Sequence, residues 1–214
     1  MARERKRDER ASNPGPKRDG RIREQILEAA REVFAEFGYS KSRITDIVRR
    51  AGCGTGSFYQ YFPTKDDVFL AVIGQTVEEI KVEMSVEEDC SYDLIERLLK
   101  RNGRYFDTYR RHAPLMLALE EAVAQHPVYR ELRLKIREDY ISPITKHIRR
   151  LQQSGGCDWS GDPATLAGVL GSMVERTAYM QVVVGESYHD YVFAATWVWA
   201  RAIGIDSTKL VLPN

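Results

Sequence analysis

Between residues 44 and 62 the chain can form only short helices, because breakers fix both ends. Ile44, Ile47, Val48 and Ala51 repeat at helical spacing, and Gly52 stops that run. A second short run, Thr55 to Tyr61, ends before Pro63, which has no N–H to continue the ladder. Ala51-Gly52-Cys53-Gly54 joins the two. Two short helices on a glycine turn fit a helix-turn-helix.

That motif makes specific demands. Its first helix packs on a supporting helix, so Ile47 and Val48 are apolar. The turn needs positive φ, which Gly52 supplies. The second helix must be slim where it enters a major groove, and Gly54, Thr55, Gly56 and Ser57 are small. Phe58, Tyr61 and Phe62 are left to pack inward. Residues 21–37 provide the support through the stripe Ile22, Ile26, Ala29, Ala30, Val33, Phe34 and Phe37, and Gly38 suits a left-handed end. Thr64-Lys65-Asp66-Asp67 reads as a capping box opening a long helix.

The remainder predicts helices only. Glu87-Glu88-Asp89 marks a break. Leu94, Leu98, Leu99, Tyr105 and Phe106 mark one helix, 114–124 another and 127–153 a longer one that Pro143 kinks or divides. Ser154-Gly155-Gly156 is a loop. Asp162-Pro163 starts a helix to about Val184, and the last runs over 188–203. Val182-Val183-Val184 is locally ambiguous, and no other segment alternates like a strand. The expected class is all-α: a basic arm lacking a core over 1–19, a three-helix DNA-binding head over 20–64, and a larger helical body over 65–214.

Charge is divided unevenly. Residues 1–65 hold 15 Lys and Arg against 9 Asp and Glu, leaving 17 against 22 for the rest. A basic head on an acidic body suits a polyanion partner. Arg3, Arg5, Lys6, Arg7, Arg10, Lys17 and Arg18 either follow a DNA backbone or form a solvated tail. Three scattered cysteines, Cys53, Cys90 and Cys157, imply no disulfide framework. Without a long apolar run or an apolar leader, a cytoplasmic protein with no membrane partner is expected.

Phe37-Gly38-Tyr39, Ile44-Thr45-Asp46-Ile47-Val48, the run from Ala51 to Phe62 and Thr64-Lys65 together resemble the TetR family of transcriptional regulators. The resemblance covers the N-terminal third; beyond it, only a helical body of suitable length agrees. It implies a homodimer with each second short helix in a major groove. Gly54, Thr55, Gly56, Ser57 and Gln60 then lie nearest base edges, with Gln60 able to pair with adenine. Tyr59 bonds a phosphate, and Lys65, at a helix N-terminus, neutralises another. Ser42 and Arg43 stand where the family places a capping, phosphate-touching pair; Arg43 departs from it, so Ser42 is expected as the cap and Arg43 as added charge. Cys53 and Gly54 are further departures. Cys53 is either a small core residue or, beside Arg49 and Arg50 near a helix start, a thiol of lowered pKa and a redox switch.

The same resemblance places a small-molecule pocket and the dimer interface in the body. Tyr105, Phe106, Tyr109, Met116, Leu119, Tyr140, Met173, Tyr179 and Met180, with Arg176 and Thr177, suit an adaptable, largely apolar pocket; each also suits ordinary core. Glu120, Glu175 and Arg176 either orient a ligand, pair internally or sit at the surface. A four-helix interface would bury Leu166, Leu170, Val174, Val192, Ala195, Trp197 and Trp199 of the last two helices, but the two Trp point apart, so one is expected to face the partner or pocket and the other the subunit core. The implied mechanism is a ligand-driven population shift that changes the spacing of two reading heads about 34–36 Å apart, carried by the helix from Thr64. Repression released by an effector is the family's common mode, with activation as an alternative.

An enzyme is the rival class. His112, His126, His147 and His189 are isolated, with no HExxH or CxxC spacing, GxSxG, Walker loop or dinucleotide fingerprint. No catalytic residue, metal or cofactor is expected.

Overall fold

The computed structural model describes residues 16–85, 93–187, 190–208 and 210. The acidic break at 87–89, most of the basic arm and the expected start of the last helix lie outside them. The described residues form eight α-helices and no strand. None of these helices is long and apolar enough to cross a membrane.

Helix α1, Pro16–Lys41, starts earlier than its apolar stripe and takes in residues 16–19 assigned to the arm. Gly38 ends its first stretch, as expected: at φ 73°, ψ −178° the glycine is not helical and kinks the chain, and a separate helical turn runs on to Lys41. Only glycine occupies that backbone region without strain. Helix α2, Ile44–Ala51, ends at Gly52 in the left-handed conformation. Helix α3, Thr55–Tyr61, follows. Helix α4, Lys65–Met84, opens with the capping box: Thr64 Oγ accepts from the Asp67 amide and the Asp67 carboxylate accepts from the Thr64 amide.

Neither proline divides the chain into separate helices as expected. Leu94–Gln125 is one helix, α5, with Pro114 inside it, and Pro127–Gln153 is one helix, α6, with Pro143 inside it. Each proline removes one hydrogen bond, but burial on both sides keeps the path helical: Ala113, Leu115, Ala118 and Leu119 around Pro114, Ile144, Thr145 and Ile148 after Pro143. Helix α7, Pro163–Tyr179, begins as predicted, the Asp162 carboxylate accepting from the Thr165 amide at 2.8 Å. The ambiguous valines belong to a π-helical segment, Met180–Val184. Helix α8 is Tyr191–Ala202.

Two separate apolar clusters organise these helices. The first joins α1 to α4 with the second half of α5 and the start of α6, from Ile26, Phe34, Phe58 and Phe69 to Leu115, Leu119 and Tyr129. The second joins the first half of α5, the end of α6, α7 and α8 around Phe106, Ile148, Leu170, Val174 and Trp199. Each residue of the second set buries on neighbours within the chain, so Leu170, Val174 and Ala195 are intramolecular core, not interface as expected, and Trp199 is the Trp that faces the core. The surface of α7 and α8 instead exposes Val169, Trp197 and Val198.

Candidate nucleic-acid interface

The head presents α3 by burying everything on its other side. Ile47 and Phe58 are fully buried, Val48 and Phe62 nearly so. The α2–α3 turn is held by the Gly52 amide on Arg49 O and the Cys53 amide on Val48 O, both 3.3 Å, which satisfies carbonyls at the helix end. Gly54, Thr55, Gly56, Tyr59 and Gln60 are exposed, with Tyr59 half open to solvent. Ser57 is half-buried. Five of the six α3 positions predicted to face DNA thus form one open surface.

Gly54 and Gly56 have no internal reason to be glycine. Gly54 lies at φ −79°, ψ 150°, extended backbone that any residue adopts, and Gly56 is helical. A Cβ at either would meet nothing within 4 Å. In a helix, Gly56 costs roughly 1 kcal/mol relative to Ala. Its smallness is of use only to something that approaches α3 from outside.

Two expectations around this face, for Ser42 and Lys65, are corrected, and the two readings of Cys53 are decided in favour of a core residue. Ser42 is buried, and its hydroxyl lies 2.5 Å from Gly38 O and 3.2 Å from Val33 O. The kink at Gly38 leaves carbonyls without helical donors, and Ser42 serves them; Arg43 is the N-cap of α2 with no side-chain capping bond, exposed as added charge. Lys65 is turned inward: Nζ donates to Tyr39 O at 2.9 Å, lies 3.4 Å from Ser42 O and stands 4.2 Å above the Tyr39 ring centroid. Burial lowers its pKa. Cys53 packs, half-buried, against the head core, and burial pushes its thiol up, not down. Neither neighbouring arginine is free to lower it, since Arg49 pairs with Asp46 at 2.8 Å and Arg50 with Glu36 at 2.6 Å.

Behind the reading face is a polar junction that the sequence did not announce. Asp66, in the first turn of α4, accepts from the hydroxyls of Tyr39 and Tyr129, the latter at 2.9 Å. Glu121 on α5 accepts the Ser40 amide at 3.1 Å, and Gln125 donates to Ser40 Oγ at 2.6 Å. Burial, then the bond to Asp66, raises Tyr39 to about 12, so the phenol remains a donor at neutral pH. Tyr39 and Asp66 lie inside the recognised motifs, yet nothing in the spacing pairs them with Tyr129.

The candidate effector residues do not form one group. Tyr105, Phe106, Tyr109, Tyr140 and Met173 belong with the second cluster, where the Tyr105 and Tyr140 rings are 5.4 Å apart. Met116 and Leu119 belong with the first. Burial raises Tyr109 and Tyr140 to about 12, so both are neutral donors. Glu120 pairs with Arg133 at 2.6 Å, and Glu175 with Arg133 and Arg137. Arg176 stacks on Tyr179 at 4.6 Å, Thr177 Oγ donates to Met173 O, and Met180 opens the π-helical segment. Among the described residues no group of His, Cys, Asp and Glu could hold a metal.

A short exposed helix with open glycines, set by a glycine turn on two supporting helices, defines a helix-turn-helix DNA-binding protein. The profile of the bacterial regulatory proteins of the tetR family matches residues 26–72. The HTH-type transcriptional repressor DhaR of Mycobacterium sp. (strain GP1) is 30% identical over 156 residues, 70% of this chain and 76% of DhaR. The HTH-type transcriptional regulator YvdT of Bacillus subtilis is 38% identical over 78 residues, 35% of this chain and only 40% of YvdT. The crystal structure of the regulatory protein TetR from Rhodobacter sphaeroides has the same fold, with a TM-score of 0.67 and 22% identity, over 85% of this chain and 98% of that one. The chain belongs to the TetR family of transcriptional regulators, a family of DNA-binding proteins and not of enzymes.

Proposed function

We propose that the protein is a repressor that binds a palindromic operator as a homodimer and is released by a small, largely apolar effector. The observation that carries the DNA reading is the open space over Gly54 and Gly56 on the exposed face of α3. Thr55, Gly56 and Gln60 read base edges there, while Tyr59 and Arg43 meet phosphates. The sense of the switch is supported by the relative DhaR, which is called a repressor. Exposed Val169, Trp197 and Val198 on α7 and α8 support self-association through the last two helices. The tyrosines Tyr105, Tyr109 and Tyr140, gathered with the second cluster, support an effector with an apolar body and a hydrogen-bonding group. A DNA partner supports a cytoplasmic compartment.

A gel shift on the DNA upstream of its own gene tests this reading. Binding is expected at an inverted repeat, lost on a scrambled repeat, with log affinity falling linearly as log salt rises. Equal affinity for scrambled DNA would exclude an operator-specific regulator.

A further inference from the structure

The first and second apolar clusters meet along helices α5 and α6, and the crossing in α5 falls at a proline. Phe106 and Tyr109 pack with the second cluster, Leu115 and Met116 with the first, and Pro114 stands between. In α6, Leu132 and Ile136 pack with the first, Tyr140 and Ile141 with the second. Pro114 has no N–H to offer the Arg110 carbonyl, so α5 lacks one rung where the two cores part.

Charged groups bridge this line. Arg133 on α6 holds Glu120, beyond Pro114, through Nε at 2.6 Å, and Glu175 on α7 through Nη2. On the other side, Glu83 at the end of α4 accepts from Thr108 at 2.8 Å and Arg111 at 2.5 Å, and faces His112 at 3.3 Å, all before Pro114. Lys81 on α4 meets Asp139 on α6 at 3.1 Å. Close-packed apolar cores resist shear; Lys81–Asp139 is an exposed pair that exchanges cheaply with water, while Arg133, only 20% exposed, is the tie whose loss matters most. Helices α5 and α6 and these polar ties, and no shared apolar cluster, span the line, and α5 crosses it with one rung missing.

We propose that Pro114 is the hinge of this regulator and Arg133 its clip: the head, α4, the second half of α5 and the first turns of α6 move as one body against α7 and α8. The inference rests on the reading that the body controls the head, and it moves the dividing line from residue 64 to Pro114. Candidate effector residues then lie on both sides, Tyr105, Tyr109 and Tyr140 on one and Met116, Leu119 and Glu120 on the other. An effector seated between them acts on the hinge directly.

The test measures spin-label distances in the full chain, with Cys53, Cys90 and Cys157 replaced by alanine and excess unlabelled chain added. One label pair, Gln25→Cys with Arg201→Cys, crosses the hinge; the other, Gln25→Cys with Ala124→Cys, lies within the moving body. Arg133→Gln is expected to broaden the crossing distribution and leave the internal one unchanged. Pro114→Ala, which restores the missing N–H, is expected to narrow the crossing distribution. Equal broadening of both pairs, or a crossing pair that neither variant alters, overturns the hinge. Gel shifts on the same unlabelled variants keep the two readings apart: operator binding with unaltered distances rejects the hinge alone, and altered distances in a chain that never binds an operator reject the regulator alone.

Discussion

The Tyr129 hydroxyl, in the first turn of α6, donates to Asp66 Oδ1, in the first turn of α4, at 2.9 Å. Tyr39, beside the Gly38 kink, donates to the same oxygen. One carboxylate therefore joins the supporting helix of the head, the long helix behind it and a body helix. Asp66 sits at a helix N-terminus, where the backbone dipole also favours its charge. The reading face is thus set by the body as much as by its own core.

This junction makes stability depend on pH with a defined sign. The bond from Tyr39 holds the Asp66 carboxyl below its ordinary pKa, against the opposing effect of burial. A folded pKa below the unfolded one gives stability that is present above the unfolded value, about 3.9, and lost as pH falls through the folded value. Tyr129→Phe is expected to lower unfolding free energy at pH 7 by about 1.5–3 kcal/mol, the range for a bond to a charged group. In urea titrations, the gap between the wild type and Asp66→Asn should narrow below about pH 4. A gap constant from neutral pH to pH 3 would rule out an ionised Asp66 as the centre.

The head is legible in the sequence because local rules decide it. Gly52, the Thr64–Asp67 box and the inward Phe58 and Phe62 each follow from one residue type at one place. Most of the failures have one cause, a distant part of the chain overriding a local preference; Ser42 is the exception, overridden by its own neighbours. Pro114 and Pro143 look like helix ends, but tertiary burial outweighs one lost hydrogen bond. Ser42 looks like a cap, but the Gly38 kink a turn earlier claims its hydroxyl. Lys65 looks like a phosphate ligand, but Tyr39 brings its ring and carbonyl to the ammonium. Tyr129 and Glu121, far along the chain, carry no local signal of their contacts with the head.

Gly38 is required by the backbone, and a Cβ there would also push aside the Glu121 carboxylate. Its φ of 73° is unfavourable for any L side chain, and a Cβ there would lie 2.5 Å from Glu121 Oε1. Gly38→Ala is expected to cost at least about 1–3 kcal/mol from the backbone alone. Adding Glu121→Ala removes the clash but also the bond to Ser40, so the pair should remain less stable than wild type. Full recovery in thermal melts would show that space alone, not φ, selects glycine.

Gly56 is expected to behave in the opposite way. Gly56→Ala meets open space in a helix, so the melting temperature should hold or rise, corresponding to a gain of up to about 1 kcal/mol. Operator affinity should fall, because the added methyl stands where α3 approaches the groove. Tyr59→Ala should also bind less, but with the salt slope of the wild type, because a neutral phenol displaces no counterion from its phosphate. Undiminished binding by Gly56→Ala would move the reading surface away from the start of α3.

Trp197 and Trp199 sit on one helix yet predict different losses. Trp197 is 52% exposed and shares the outer surface of the last two helices with Val169, itself 62% exposed. Trp199 is buried in the second cluster. Trp197→Asp places a charge on the surface proposed to meet a second copy, where desolvating it would be costly. Sedimentation equilibrium should show that variant as a folded monomer while the wild type is a dimer. Trp199→Ala should instead leave a cavity and cost about 3–5 kcal/mol of stability. If Trp197→Asp keeps the mass of the wild type, the two copies meet elsewhere, and the exposed apolar surface of α7 and α8 needs another occupant.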